Sequence, residues 1–169
     1  MYNLNTKRAH VEKNGLIQWI SGSFGSKVSM LYPCSVLLGE HASSEYTGIS
    51  FAGTDQNIDT GAQVIHAAPY TTSTVDSKSI SKSGGIGVYR GLVKITENAH
   101  HSKSSVSCES LMLDPESRSD TIPVIDIRNK DVDFGHEAKI GRSSDEVIFY
   151  LMSRGIPEGE ARAMVVRGF

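Results

Sequence analysis

"STVDSKSISKSGGIGVYRGLVKIT", residues 73–96, holds two strand-like runs joined by a short glycine-containing turn, with no helical pattern between them. In "STVDSKSIS" (73–81) and "GVYRGLVKIT" (87–96), small polar and β-branched residues alternate, which is typical of strands with one buried face. The glycines of "SGGIGVYRG" (83–91) suit the backbone of a turn. The stretch therefore predicts strands that follow one another directly.

Similar runs continue on both sides of this stretch, about every 10 to 17 residues, with Gly, Asn, Asp, Ser or Pro in the gaps. Two architectures fit them, a two-sheet sandwich and a β-solenoid. The 23 serines, 16 glycines and 7% aromatic residues favour the solenoid, because a narrow coil accommodates few large side chains. The other predicted strands are "LIQWIS" (16–21), "SKVSMLYPCSVLLG" (26–39), "EYTGISFAG" (45–53), "AQVIHAA" (62–68), "SKSSVSCESLML" (102–113), "TIPVIDIRN" (121–129) and "VDFGHEAKI" (132–140).

The pattern changes to helical at about residue 141. Ser143 and Glu146 match a capping box at the start of a helix, and Gly155 suits its end. Pro157 suits the first turn of a second helix, which runs to the last residue without a cap. The apolar residues at helical spacing in the first helix are Val147, Ile148, Leu151 and Met152.

Composition excludes several classes of protein. A net charge of −2 argues against a nucleic-acid-binding protein, and no run approaches the ~18 apolar residues of a membrane span. The two cysteines, Cys34 and Cys108, form no CxxC motif and no disulfide framework, so we expect a reducing compartment. "GSFGSKV" (22–28) lacks Walker spacing and is interpreted as a turn, as is "HH" at 100–101; we find no nucleotide site, hydrolase motif or zinc spacing.

Cys108 stands alone among serines, and alternation places it on one face with Val106 and Met112. It is either a small buried hydrophobe or half of a site shared with a second chain, because iron–sulfur clusters are generally held by four thiolates. His136 shares a face with apolar residues and suits either the core or a ligand role. Glu137 points to the opposite face and suits either solvated charge or a ligand role.

Eight segments closely resemble, in family order and over the whole chain, the SufB and SufD scaffold family of the SUF iron–sulfur cluster assembly machinery. "RGLVKI", "CESLML" and "HEA" together are nearer to the SufB type than to the SufD type. The segments are "NLNTKRA" (3–9), "DTGAQVIHAAP" (59–69), "STVDSKSIS" (73–81), "YRGLVKI" (89–95), "CESLML" (108–113), "SRSDTIPVIDIRN" (117–129), "HEA" (136–138) and "FYLMSRGI" (149–156).

The resemblance implies a right-handed parallel β-helix, with residues 1–140 as the C-terminal part of its core. Residues 141–169 would begin a helical domain whose apolar stripe, Val147, Ile148, Leu151 and Met152, docks the ABC-type ATPase SufC. The protein would be a scaffold, and the ATPase activity would reside in SufC. Sulfur would come from SufS with SufE or SufU.

The resemblance also implies that a transient iron–sulfur cluster is built where a SufB-type subunit meets SufD. Cys108 would be the cluster ligand or sulfur acceptor, with His136 and Glu137 implicated beside it and a histidine supplied by SufD. The resemblance further implies that sulfur enters through a cysteine just after "TKRA". This chain has His10 and Val11 there instead. The expected location is the cytoplasm, or the plastid stroma in a plastid-bearing organism.

Two other functions stay open on the residues alone. The first is a structural module that binds SufC and SufD without holding a cluster. The second is a solenoid enzyme such as a polysaccharide lyase, for which the charged residues would be Asp126, Arg128, Asp131 and Asp133, although turns and surface charge explain them more simply. A solenoid with an open end also exposes unpaired strand edges, so self-association is expected.

Overall fold

In the computed structural model, which describes residues 1–169, thirteen strands wind into a parallel β-solenoid and two helices follow. Neither helix has the length and apolar character that crossing a membrane requires. The strands are β1 (Tyr2–Asn5), β2 (Arg8–Val11), β3 (Leu16–Phe24), β4 (Val28–Leu31), β5 (Cys34–Leu37), β6 (Ser43–Ala52), β7 (Asn57–Thr60), β8 (Gln63–His66), β9 (Thr72–Ser81), β10 (Ile86–Ile95), β11 (Lys103–Met112), β12 (Arg118–Ile127) and β13 (Asp133–Arg142), and the helices are α1 (Asp145–Ser153) and α2 (Glu158–Gly168).

Every strand pair in the two sheets is parallel. One sheet, here called the long-strand sheet, has the order β13-β11-β9-β6-β3. The opposite sheet has eight strands, because three coils contribute two short strands each and two coils contribute the single strands β10 and β12. Ser43 pairs with Thr72, Thr72 with Lys103 and Lys103 with Asp133, so a coil takes 29, 31 and 30 residues. The solenoid prediction is therefore confirmed, and the antiparallel sandwich is excluded.

The space enclosed by the two sheets, here called the lumen, is narrow and filled by alternate residues of each strand. The largest fully buried side chains include Leu37, Ile58 and Ile95. Small hydroxyl side chains occupy the rest and bond from coil to coil: Ser79 meets Ser110 at 2.7 Å and Ser73 donates to Ser104 at 2.8 Å. Because a buried hydroxyl is costly unless it is hydrogen-bonded, these pairs make the serine-rich strands compatible with a core.

The turns that enter the long-strand sheet are also stacked. His41, Tyr70 and His101 each adopt a left-handed backbone conformation, with φ of 61°, 58° and 55°. Their rings stack with centroids 5.1 Å and 4.9 Å apart. The turn predicted at "HH" is confirmed, since His101 lies at the top of this stack.

The strand boundaries differ from the sequence-based ones in three places. β1, β2 and β7 were not predicted, because four-residue strands carry too little alternation to be recognised. The single strand predicted over 26–39 is two strands, with Tyr32 and Pro33 between them, because proline cannot donate to a sheet ladder. "GSFGSKV" and "SGGIGVYRG" are turns only in part: residues 22–24 belong to β3, and β10 begins at Ile86.

The capping box predicted from Ser143 and Glu146 is wrong. The helix begins one residue later, with Ser144 at the N-cap and no side-chain capping bond. The backbone N–H of Ser143 instead donates to the carbonyl of Met112 at 2.8 Å, so Ser143 still belongs to the strand ladder. At the other end Gly155 has φ of +86° and ends α1 as predicted. Pro157 is the N-cap of α2 rather than a residue of its first turn.

Candidate functional site

Cys108 lies in the middle of β11 with its side chain in the lumen, only 2% exposed. It packs in the main apolar cluster together with Tyr46 and Tyr89, and the Tyr89 hydroxyl lies near the thiol. Burial raises the pKa of the Cys108 thiol to about 11, and the nearby Tyr89 hydroxyl offsets part of that rise. At neutral pH, Cys108 is therefore a protonated thiol within this chain.

A row of small residues makes room for the thiol. The positions that pair with Cys108 from coil to coil are occupied by small residues: Ser21, Gly48, Ser77 and Ala138. The two tyrosine rings lean over neighbouring glycines, and a Cβ on Gly91 would come within 2.9 Å of the Tyr89 hydroxyl oxygen. Glycine at position 91 thus allows Tyr89 to direct its hydroxyl toward Cys108.

His136 shares the lumen with Cys108, one coil further along the solenoid. It pairs with Val106 in β11, so strand spacing and rise place its Cβ roughly 8 Å from that of Cys108. Its Nε2 atom is buried and has no hydrogen-bond partner in the chain. A buried imidazole nitrogen without a partner is uncommon and leaves one ligand position free.

Glu137 lies on the other side of β13. It pairs with Ser107 in the ladder, is largely exposed, and forms an ion pair with Lys139 at 2.9 Å. The structure thus brings Cys108 and His136 into one lumen and leaves Glu137 on the outer face. The chain contains no group of three or more His, Cys, Asp or Glu side chains that could hold a metal ion.

The coil formed by β12 and β13, here called the last coil, has no further coil stacked on it, and its inner face is partly open. The hydroxyls of Ser119 and Thr121 are buried there without partners. Large apolar side chains are exposed on the same coil: Ile122, Val124, Ile125, Ile127 and Ile140. This end therefore combines unpaired strand edges, apolar surface and unsatisfied polar atoms, directly above Cys108 and beside His136.

Comparison with known proteins gives a match over the full length. A family model described as "SUF system FeS cluster assembly, SufBD core domain" matches residues 1–169. This chain belongs to the SufBD family.

Relatives in the SufBD family cover the whole chain. A SufBD family iron–sulfur cluster assembly protein of Mycobacterium bovis is 53% identical over 169 residues, and one of Mycobacterium leprae is 52% identical. A Staphylococcus haemolyticus protein with the same description is 50% identical. The chain spans 20%, 19% and 36% of those proteins, respectively.

In the helical segment of this SufBD core domain, the four residues of the predicted apolar stripe fall into a buried group and an exposed group. Ile148 is 3% exposed and Leu151 is half-buried, whereas Val147 and Met152 are exposed. Phe149 and Tyr150, which were not part of the predicted stripe, are more exposed still, at 73% and 55%. The exposed apolar surface of α1 is therefore larger than the periodicity indicated.

Three of the four charged residues considered for a lyase groove, Asp126, Arg128 and Asp131, form ion pairs in the SufBD fold. Asp126 pairs with Arg128 at 3.0 Å and also lies 3.7 Å from Lys94, and Asp131 pairs with His101 at 2.9 Å. They behave as surface charge that links neighbouring strands and turns.

Sequence reasoning missed Tyr46, Tyr89 and Ala138, which surround Cys108. Tyr89 lies 19 positions and Ala138 lies 30 positions from Cys108 along the chain. Only the number of residues in each coil would have placed them together, and the repeats are too degenerate to be aligned by eye.

Proposed function

We propose that this chain is part of a scaffold on which an iron–sulfur cluster is assembled, with SufC and SufD as its partners. Iron and sulfide are the cargo, and Cys108 accepts sulfur or ligates the nascent cluster at the interface with SufD. The observation that carries the proposal is the lone thiol of Cys108 beneath the open last coil of a family whose description is cluster assembly. The catalytic step that consumes ATP belongs to SufC.

The chemistry of the two lumen side chains fits such a cargo. Thiolate sulfur and imidazole nitrogen both ligate iron, but two ligands fall short of the four that a stable cluster takes. A second chain must supply the remainder, and a site split between two chains can release its cluster when they separate. Glu137 would join this site only if the partner or a movement of β13 brought its carboxylate around.

The last coil is the surface to which SufD would bind. Its unpaired strand edges can be continued by strands of another solenoid, and its exposed isoleucine and valine side chains would be buried by that contact. Docking there would enclose Cys108 and His136 between the two chains. Excluding water from the enclosed site strengthens electrostatic interactions there and protects a nascent cluster from hydrolysis.

The buried and protonated state of Cys108 favours a second possibility. In this second possibility the chain is a structural interaction module that binds SufC and SufD without itself holding a cluster. Anaerobic reconstitution with iron and sulfide separates the two: the subunit alone should hold little iron, and the complex with SufC and SufD should develop the visible absorbance of a cluster. If the complex stays colourless and iron-free, the structural module is the better description.

The decisive substitution is Cys108→Ser in the full-length subunit, assembled with SufC and SufD. The fold should survive, with a change of roughly 1 kcal/mol in the free energy of unfolding. Cluster formation should fail, because a serine hydroxyl is a harder and far less acidic ligand than a thiol. His136→Ala should weaken assembly less, since His136 supplements the thiolate. Glu137→Ala should also weaken it less, because Glu137 reaches the site only if the partner or a movement of β13 brings it there.

Cys34→Ser is the matched control, because Cys34 is also buried, at 6% exposure, yet lies in the eight-stranded sheet away from the last coil. It should leave cluster yield unchanged. Visible absorbance and iron content per complex are the measurements. Clusters built at normal yield by the Cys108→Ser complex would refute the assignment.

The helices are the proposed docking surface for SufC. Val147 and Met152 stay exposed on α1, together with aromatic surface, and the predicted stripe also includes the packed residues Ile148 and Leu151. Deleting residues 143–169 should abolish co-purification with SufC, and Val147→Asp with Met152→Asp should weaken it without changing the circular dichroism spectrum. Retention of SufC at the normal level by the deleted form would show that SufC binds elsewhere.

A further inference from the structure

A cleft of about 700 Å³ lies between α2 and the outer face of the long-strand sheet, and it is here called the helix–sheet cleft. Ala163, Val166 and Arg167 of α2 line one wall. Phe51 and Lys82 line the opposite wall, together with the turn that follows β11. Small-molecule sites in proteins have volumes of roughly 300–1,000 Å³, so the cleft is large enough for a ligand of that class.

The apolar floor of the cleft continues a column of side chains on the outer face of the long-strand sheet. Phe51 pairs with Ile80, and Ile80 pairs with Leu111. Leu111 is only 8% exposed on this face, whereas Phe51 is half-buried where the cleft opens over it. The end of α2 is held on the same face, because the Lys78 ammonium donates to the carbonyl of Phe169 and lies 5.2 Å from the centroid of its ring. The cleft is therefore preformed between two elements that contact each other beside it.

Three cations line the cleft, and two of them have no anion to pair with. Arg162 is bonded to Glu158 on the same helix, with 2.9 Å between its Nε and Oε1 of the carboxylate. Lys82 and Arg167 are exposed and form no ion pair within the chain. The cleft therefore presents two free positive charges beside an apolar floor.

The two acidic side chains of the cleft are stabilised by backbone groups rather than by these cations. The Asp114 carboxylate accepts from the backbone N–H of Ser117 at 2.9 Å, from the hydroxyl of the same residue at 2.6 Å, and from the backbone N–H of Ser83. Asp145 lies in the first turn of α1, where the free N–H groups and the helix dipole favour a carboxylate. The charges of Lys82 and Arg167 thus remain available to a ligand.

We propose that the helix–sheet cleft binds a small amphipathic anion. Its apolar part lies between Phe51 and Val166, and its carboxylate, phosphate or sulfonate group pairs with Lys82 and Arg167. Burial of the apolar part supplies affinity, and the two cations fix the orientation. The inference does not rest on the proposed function, because the cleft lies outside the lumen that contains Cys108.

The test measures binding of two matched probes to the full-length subunit by fluorescence titration. Anilinonaphthalene sulfonate joins an apolar ring system to one anionic group, and phenylnaphthylamine has the same ring system without the sulfonate. Lys82→Gln combined with Arg167→Gln should raise the Kd of the anionic probe about tenfold, because two charge-assisted contacts are lost. The Kd of the neutral probe should change by less than about twofold.

Ala163→Phe tests the apolar part of the cleft. The added ring occupies the space between α2 and Phe51, so both probes should bind more weakly by about tenfold. The charge variant alters only exposed side chains, so it keeps the test decisive if Ala163→Phe does not fold. Circular dichroism identifies the folded variants.

Two matched controls lie outside the cleft. Arg154→Gln removes a cation that lies on the other side of α1, 5.2 Å from the ring centroid of Tyr150, and Met164→Phe adds a ring to an exposed position of α2. Both should bind the probes as the natural protein does. Equal weakening of the anionic probe by Arg154→Gln would overturn the inference, because it would indicate general attraction to surface cations. Unchanged binding in the cleft variants would also overturn it, as would the absence of binding to the natural subunit, which would indicate that a protein segment fills the cleft.

Discussion

Two coils of the same solenoid, the one containing β10 and the last coil containing β12, have equivalent positions in very different surroundings. Val93 pairs with Ile125 and Ile95 pairs with Ile127. The first members of these pairs are 5% and 0% exposed, whereas their partners on the last coil are 45% and 38% exposed. Similar side chains therefore stabilise the fold in one coil and form a surface in the next.

The polar residues differ in the same way. In the middle coils, His66 contacts Thr71 at 2.8 Å and Ser73 at 2.9 Å, and the hydroxyls continue from coil to coil. On the last coil, the hydroxyls of Ser119 and Thr121 have no partner. The comparison teaches that the middle coils are complete in themselves, while the last coil has the features of a surface that another molecule completes.

The largest expected effect separates Ile95 from Ile127. Ile95→Ala should lower the free energy of unfolding by roughly 2–5 kcal/mol, because it leaves a cavity in a fully buried position. Ile127→Ala should cost about 1 kcal/mol or less and should instead weaken binding of SufD. Urea unfolding and a pull-down with SufD measure the two effects. Similar stability losses for both variants would contradict the distinction between the coils.

A second test uses pH and the middle coils. Burial lowers the pKa of His66 from 6.5 to about 4, so the unfolded chain binds a proton in this range that the folded chain excludes. Stability should therefore be complete above pH 6.5 and fall by at most about 3 kcal/mol as pH decreases to 4. Urea unfolding at several pH values should show this loss, and His66→Gln should reduce its slope. An unchanged slope in His66→Gln would assign the loss to other groups.

The smallest expected effect concerns single hydroxyl groups. Ser104→Ala removes the acceptor of the Ser73 hydroxyl in a buried pair and should cost about 1–2 kcal/mol. Thr121→Val removes a hydroxyl that has no partner and should change the free energy of unfolding by less than about 0.5 kcal/mol. A large loss in Thr121→Val would indicate that the last coil satisfies this hydroxyl within the chain. Thermal or urea unfolding resolves the difference.

The sequence predicted much of the solenoid because alternation is a local property. Eight of the long runs, including "STVDSKSIS" and "SKSSVSCESLML", coincide with strands to within a few residues. The capping box at Ser143 was predicted wrongly because the backbone N–H of Ser143 bonds to the carbonyl of Met112, 31 positions away. That bond keeps Ser143 in the strand ladder, and local sequence does not reveal it. The short strands β1, β2 and β7 were missed because their pairing partners, not their own residues, define them.

The candidate site could be predicted only in part. Alternation already separated His136 from Glu137, and the structure has them on opposite faces of β13. Alternation could not place Tyr89 beside Cys108 or pair Ala138 with Cys108, because those neighbours depend on how many residues each coil contains.

The sequence by itself determined the strand alternation, the helical tail and the family, because each of these is written in local residue patterns. Only the tertiary structure decided which residues share the lumen with Cys108, which isoleucines stay exposed, and that Ala138 pairs with Cys108. The physical reason is the register of the coils: a change of one residue in any turn would reverse the faces of the next strand and replace every neighbour of the thiol.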